Sequence, residues 1–301
     1  MANVFSIGSL NMDIVYQVSA LPKPGETVQS LSRKLFPGGK GANQAVAAAR
    51  SGGSVRMIGA VGSDSYGESL IGALQADGIR TDTVLPTEGD TGTAFITVDA
   101  HAENHIVLAA GANGGLSPSD IPEWIWGEAD LIMLQNEIPW KVNRHVLEIA
   151  RRRGIPVIMN AAPAMQMEED AFPLIPILAV NETELETLSG QPVRETADAR
   201  AAAASLIGRG VDNVLVTMGS QGSLWVSRGE DEIWSPAFRV EPVDTTAAGD
   251  TFIGAFATEF ASGVPTSQAL RFASAAAAIA VTREGAQISI PRREEIVPFI
   301  N

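Results

Sequence analysis

The chain alternates short β-prone runs with helical patterns, and that rhythm restricts the fold more than any single motif. Val4-Phe5-Ser6-Ile7-Gly8 reads as a buried strand, and Val55 to Val61 as another, followed by a helix over Ser65 to Ala76 that begins near Asp64. Leu131 to Gln135, Pro156 to Asn160, Ile177 to Val180 and Val214 to Met218 are further strands with helical stretches between them. Repeated β-then-α units imply a parallel sheet with helices on both faces. The predicted fold class is therefore α/β, with three layers, α/β/α, around a central, mostly parallel sheet.

Two stretches break the rhythm. Met12 to Val18 and Thr27 to Phe36 are β-prone and partly alternating, separated by the turn Pro22-Lys23-Pro24-Gly25. Thr93 to Val98 and His105 to Ala109 form a hairpin-like pair. These segments, about residues 12–36 and 93–110, are expected to pair as a small separate β-sheet that sits as a lid beside the main body. No internal repeat or linker divides the chain, so residues 1–301 are expected to form a single domain.

Composition narrows the function. A net charge of −14 argues against nucleic acid or an anionic membrane surface as the main partner. Phosphate would have to be held locally, by backbone amides, a few cations and metal ions. The absence of cysteine excludes disulfides, thiolate metal sites and cysteine nucleophiles. No signal peptide precedes Val4, and the most apolar run, Ala275 to Val281, is too short to span a bilayer. The expectation is a cytoplasmic enzyme or binding protein.

Chemistry concentrates in Val243-Asp244-Thr245-Thr246-Ala247-Ala248-Gly249-Asp250-Thr251-Phe252. Phe252, Ile253, Phe256, Ala257 and Phe260 recur at helical spacing beyond it, and Gly263 supplies a stop. Ala247, Ala248 and Gly249 thus place bare N–H groups at a helix N-terminus, which attracts phosphate. Asp250 is either a helix-starting acid or a proton acceptor beside a bound phosphate. Asn11, Asp13, Glu137, Asn181 and Thr217 all follow or end strands, and ligands bind outside the carboxyl ends of such sheets. That convergence favours the functional reading of Asp250.

The remaining motifs are weaker alone. Gly38-Gly39-Lys40-Gly41 lacks the spacing of a phosphate loop, and no G-x-G-x-x-G follows the first strand. Its glycines suit close backbone approach to a small polar ligand, with Asn43 as donor and acceptor, or simply a tight turn. Asn181 and Glu184, three apart at a helix start, suit either a cap or water-mediated Mg²⁺. Thr217-Met218-Gly219-Ser220-Gln221-Gly222 is a strand ending in a glycine turn, suited to backbone contact with a nucleotide. His101, His105 and His145 have no metal-ligand spacing.

Taken in order, these motifs, with Ala275-Ala276-Ala277-Ala278-Ile279-Ala280-Val281-Thr282-Arg283 and Gly285-Ala286-Gln287, resemble the ribokinase/PfkB carbohydrate-kinase family over nearly the whole chain. The resemblance implies a ribokinase-like fold and ATP-dependent phosphorylation of a sugar's primary hydroxyl, D-ribose giving ribose 5-phosphate first among the candidates. Asp250 would be the general base, and the amides of Ala247, Ala248 and Gly249 the anion hole. Asn11, Asp13, Gly39, Lys40, Gly41, Asn43 and Glu137 would bind the sugar, with Ala94 and Leu108 as apolar lid contacts. Asn181, Thr217, Gly219, Ser220, Gly222 and Ser274 fall on the nucleotide side. Glu184 matches the position linked to Mg²⁺. Asp244, Thr246, Ala280, Arg283, Gly285 and Ser289 match a loop that holds K⁺, mostly through carbonyls. The family also pairs its lids in a homodimer.

This chain departs from the family pattern at several places. Ser274 stands where relatives often carry a histidine, the neighbours of Glu137 differ, Asn160-Ala161-Ala162-Pro163 lacks a second-position proline, and Leu10 and Met12 vary. These leave room for another sugar, a sugar acid or a nucleoside. A catalytically idle sugar- or nucleotide-binding protein on the same fold is the reading from a different class.

Overall fold

The computed structural model describes residues 1–101, 103–229 and 232–300. Seven parallel strands carry the large sheet: β1 (Asn3–Ile7), β4 (Ser54–Gly62), β5 (Arg80–Thr87), β8 (Leu131–Gln135), β9 (Val157–Asn160), β10 (Ile177–Asn181) and β11 (Asn213–Thr217). Two antiparallel strands, β12 (Gly222–Ser227) and β13 (Ile233–Pro236), extend it at one edge. The strand order is β13-β12-β11-β10-β9-β8-β1-β4-β5. The α/β class with a mostly parallel sheet is thus observed. The sequence expectation lacked β5 and β13, the two edge strands, and β12, which lies between β11 and β13.

The inner strands are apolar on both faces because helices cover both. Along β8, Leu131 and Met133 point into one core layer and Ile132 and Leu134 into the other. The first layer is closed by α1 (Lys40–Arg50), α2 (Ser65–Ala76), α6 (Ala248–Ala261), α7 (Thr266–Ala280) and α8 (Arg293–Ile300). The second is closed by α3 (Trp140–Arg153), α4 (Glu182–Ser189) and α5 (Thr196–Gly208). The Asp64 side chain accepts from the Gly67 amide at 2.8 Å, so α2 starts where its acid cap dictates.

A separate four-stranded sheet runs β3-β2-β6-β7, from β2 (Asn11–Gln17), β3 (Ser32–Gly38), β6 (Gly92–Val98) and β7 (Asn104–Ala109). The two irregular stretches do pair with each other, β2 lying parallel to β6. Strand β3 is shorter than the Thr27–Phe36 expectation, because the last rung of its ladder joins Gln17 to Ser32. One cross-sheet row reads Phe36, Asp13, Ala94, Leu108. Register partners share a face, so Asp13 and Asn11 look the same way as Ala94. Met12 and Ile14, on the other face, are buried in the first core layer.

Helix α6 begins two residues earlier than expected. Its N-cap is Ala247, so Asp250 sits inside the first turn instead of starting the helix. The small side chains of Ala247, Ala248 and Gly249 let the backbone turn into helix before the acid arrives. Ala247 has φ 59°, ψ 12°, and is the one non-glycine residue with positive φ among the described residues.

Candidate active site

Five strand ends and the start of α6 meet at one edge of the large sheet. Asp250 is 7% exposed there, and its carboxylate is held from α1 by two consecutive amides. Asn43 Nδ2 donates to Oδ2 and Gln44 Nε2 to Oδ1, each at 3.0 Å. Helices α1 and α6 come this close because Gly254 has no side chain: a Cβ there would overlap the Gln44 carbonyl and lie 2.6 Å from Ala47 Cβ. Thr258 Oγ1 adds a 3.0 Å bond to the Ala48 carbonyl one turn on.

On one side of Asp250 the polar groups suit a polyol. Asn43 Oδ1 is buried and has no partner. Glu137 accepts from Ser9 Oγ at 2.6 Å and from the Lys40 amide at 3.0 Å, both on Oε2. Asn113 Nδ2 donates to Asn11 Oδ1 at 2.8 Å and to the Leu10 carbonyl at 3.0 Å, while its Oδ1 accepts from the Leu10 amide at 3.0 Å. That clamp turns the Asn11 amide so that its NH₂ remains a donor. Gly39 has φ 87°, and a Cβ on it would press on the Asn11 amide at 2.7 Å; a Cβ on Gly41 would press on Ser9 N at 2.6 Å. Glycine at both positions lets the segment before α1 lie against the end of β1.

Asp13 stands at about 7 instead of 3.8. Burial is the main cause, and the charges of Glu137 and Asp250 add to it while Lys40 opposes. Lys40 answers those acids: Asp250 above all, then Glu137, Glu184 and Asp13, hold its ammonium above the usual lysine value against the cost of burial.

On the other side of Asp250 lies a cavity of about 900 Å³. Lys40, Glu184, Asp250 and the turn Ala247-Ala248-Gly249 line it, together with Thr217, Gly219, Ser220, Gly222, Ser274, Ala277 and Phe238. Asn181 and Glu184 form a reciprocal cap on α4, so the capping reading is correct as structure. Glu184 Oε2 accepts from the Asn181 amide at 2.9 Å, and Asn181 Oδ1 from the Glu184 amide at 2.8 Å. Both residues also line the cavity. Burial raises the Glu184 carboxyl, with the Asn181 bond and Lys40 pulling the other way.

In the turn, the Ala248 amide leans on the Thr245 carbonyl at 3.2 Å, whereas those of Ala247 and Gly249 meet no acceptor among the described residues. Behind the turn, Asp244 ties two loops together. Its Oδ1 accepts from the Thr246 amide and hydroxyl at 2.8 and 2.6 Å, and its Oδ2 from the Gly285 amide at 2.9 Å. Burial would push this carboxyl up, but those bonds outweigh it and hold it below 3.8. The Asp244 amide donates to the Val281 carbonyl at 3.2 Å, and the Arg283 amide to the Ala280 carbonyl at 3.0 Å. The Arg283 side chain turns away to Glu295, and Ser289 Oγ donates to the Ala286 carbonyl at 2.7 Å.

A profile of the pfkB family carbohydrate kinases matches residues 1–293. The chain belongs to that family. It is 40% identical to a ribokinase of Haemophilus influenzae over 98% of this chain and 97% of the relative. It is 39% identical to a deoxyribokinase of Salmonella typhi, again over 98% and 97%. The Arabidopsis thaliana ribokinase structure complexed with ribose and ATP superposes with a TM-score of 0.94 at 33% identity, covering 100% of this chain and 99% of that one.

Most of the residues singled out from the sequence lie around Asp250 or line the cavity beside it. Leu108 lies farther out: it is 45% exposed, on the outermost strand of the small sheet, with Ala94 between it and Asp13. Sequence reasoning gave no role to Ser9, Gln44, Asn113, Gln135 or Asn160. All five are buried polar residues; Ser9, Gln135 and Asn160 stand at or near strand ends and Asn113 beside Gly114, a signal that could have found them, whereas Gln44 lies inside α1.

Proposed function

We propose that this protein is an ATP-dependent sugar kinase that transfers the γ-phosphoryl group to the primary hydroxyl of D-ribose, giving ribose 5-phosphate. The observation that carries this reading is the position of Asp250, a buried carboxylate between a polyol-suited cluster and a cavity large enough for a nucleotide. A binding protein would have no use for a proton acceptor at that junction, which disfavours the idle alternative.

In this reading Asn11, Asp13, Asn43 and Glu137 orient the sugar, with Gly39, Lys40 and Gly41 shaping the backbone under it. Asp250 accepts the hydroxyl proton as the oxygen attacks phosphorus. Free amides of the Ala247–Gly249 turn stabilise the negative charge that spreads over the transferring group. Lys40 bridges the two halves and offsets the charge of four acids. Asn181, Thr217, Gly219, Ser220, Gly222 and Ser274 contact the nucleotide.

Mg²⁺ bound with ATP would neutralise phosphate charge, and Glu184, a hard oxygen donor lining the cavity, fits a water-mediated role. Asp244 is a hard oxygen donor suited to K⁺, its oxygens here accepting from Thr246 and Gly285. That carboxylate and the carbonyls around Thr246, Ala280, Arg283, Gly285 and Ser289 would hold the ion and stiffen the anion-hole turn from behind.

We read residues 1–301 as one domain, with the small sheet as a lid over the sugar. It exposes Phe95 and Val107 on the face away from Asp13 and Ile106 and Leu108 on the same face as Asp13, and β3 and β7 are its edges. Pairing with a second lid would cover both, so a homodimer is expected. No helix among the described residues is long and apolar enough to cross a membrane, in keeping with the cytoplasmic placement we favour.

Deoxyribose is the second reading, on the near-equal identity to the deoxyribokinase. Coupled ADP release with MgATP and K⁺ tests both across ribose, deoxyribose, fructose, a keto-deoxy sugar acid and adenosine. Fast turnover on ribose supports the first reading. Preference for another compound keeps the base and anion hole but moves specificity to the neighbours of Glu137 and Asn11.

A further inference from the structure

Gln44 is fully buried and does not line the cavity, yet its carboxamide closes on the Asp250 carboxylate. Nε2 donates to Asp250 Oδ1 at 3.0 Å and also to Asn160 Oδ1 at 3.1 Å. Oε1 accepts from Gln135 Nε2 at 2.7 Å. Gln135 and Asn160 are the last residues of β8 and β9 and are register partners. Asn143 on α3 donates to the Gln135 carbonyl at 2.8 Å, and Asn160 Nδ2 to the Ala179 carbonyl at 3.2 Å.

These partners fix which way round the Gln44 amide lies. A half-turn would set Oε1 against two acceptor oxygens and Nε2 against a donor. The main chain is fixed as well, because Gly254, one turn beyond Asp250 on α6, receives the Gln44 carbonyl where a Cβ would stand.

We propose that Gln44 is a positioning residue for phosphoryl transfer, pinning the Asp250 carboxylate in the orientation that proton acceptance requires, with Gln135 and Asn160 steadying its amide from the sheet. The inference rests on the reading of Asp250 as the proton acceptor. Asn43 and Gln44 each take one lone pair, on different oxygens, so the carboxylate cannot rotate without breaking a charge-assisted bond. Without Gln44, Oδ1 loses that donor and the carboxylate can turn about the Asn43 bond.

The test uses Gln44→Met, close in size and without a donor, and Gln135→Leu, which frees the amide without touching Asp250. Each variant is read by thermal melting, by sugar binding in calorimetry, and by kcat and KM at saturating MgATP. Asp250→Asn is run beside them. The expected result for Gln44→Met is a kcat about 10- to 100-fold lower with sugar affinity and KM retained. Gln135→Leu should lower kcat in the same way by less. Folded variants that keep wild-type kcat would overturn the proposal, as would a fall in kcat matched by an equal loss of sugar affinity. Failure of both variants to fold would assign the relay to stability alone and overturn it too. If Asp250→Asn stays active, the base reading itself fails. If Asp250→Asn is inactive while Gln44→Met behaves as wild type, only the positioning role fails.

Discussion

Asn43 donates to Asp250 across 207 residues of chain, at 3.0 Å, and in doing so leaves its own Oδ1 as a buried acceptor without a partner. One amide therefore faces both the proton acceptor and the place where a hydroxyl would stand.

Asp250→Asn keeps the shape and loses the base. Turnover should fall by roughly 10²- to 10⁴-fold, the range for a positioned general base, while sugar still binds. Steady-state rates with calorimetric sugar binding check this, and near-full activity would remove Asp250 from the chemistry.

Asp13 makes the free protein sensitive to pH. Its folded value of about 7 lies above the ordinary 3.8, so between those values the folded state holds a proton that the unfolded chain has lost. This residue's contribution is therefore most favourable below about 4 and is lost as pH rises towards 7. Melting curves of wild type and Asp13→Asn without sugar should diverge over that window, the variant becoming the more stable. Sugar affinity of the wild type should rise with pH through 7, because the ionised carboxylate is the better acceptor. Parallel curves for the two proteins would refute the shift.

Gly254→Ala pits propensity against space. Alanine is the better helix former by about 1 kcal/mol, but its Cβ would strike the Gln44 carbonyl. Forcing α1 from α6 should give a net loss of about 1–3 kcal/mol in urea unfolding, with reduced kcat. A stabilised variant would mean the helices can shift freely.

Ala247 holds a left-handed conformation that costs an L-residue about 1–2 kcal/mol. Ala247→Gly should be close to neutral, since relief of strain is offset by a more flexible unfolded chain. Ala247→Val should lose at least about 1 kcal/mol and impair turnover, as a β-branched side chain tolerates positive φ worst. Equal unfolding midpoints for the two would argue that the turn relaxes.

K⁺ activation is tested at Asp244. The wild type should turn over faster in K⁺ than in Na⁺, and Asp244→Ala, which unties Thr246 and Gly285, should abolish the difference. Equal wild-type rates in the two ions would remove the cation from the account.

The parts legible in the sequence were those where one residue's physics acts locally. The Asp64 cap and the apolar rhythm of Leu131 to Gln135 were read with their observed bounds. The small residues at 247–249 identified the turn. What escaped depended on partners far along the chain. Strand β12 exists as a ladder partner of β11, and nothing within Gly222–Ser227 dictates that pairing. Gln44, Gln135 and Asn160 look like ordinary polar residues until three separate elements place their amides within 3.1 Å of one another. The start of α6 was misjudged because Asp250 is a good cap by type, whereas the backbone had already turned at Ala247.

The row Phe36, Asp13, Ala94, Leu108 ties specificity to folding. Asn11 and Asp13 belong to a paired strand whose other face, Met12 and Ile14, lies in the core. A one-residue slip of β2 would withdraw both polar groups and expose the apolar ones together. Evolution of a new acceptor preference is thus steered away from the ladder and towards residues outside it. The loop around Asn136 is such a position, where a change can enter without a shift of register.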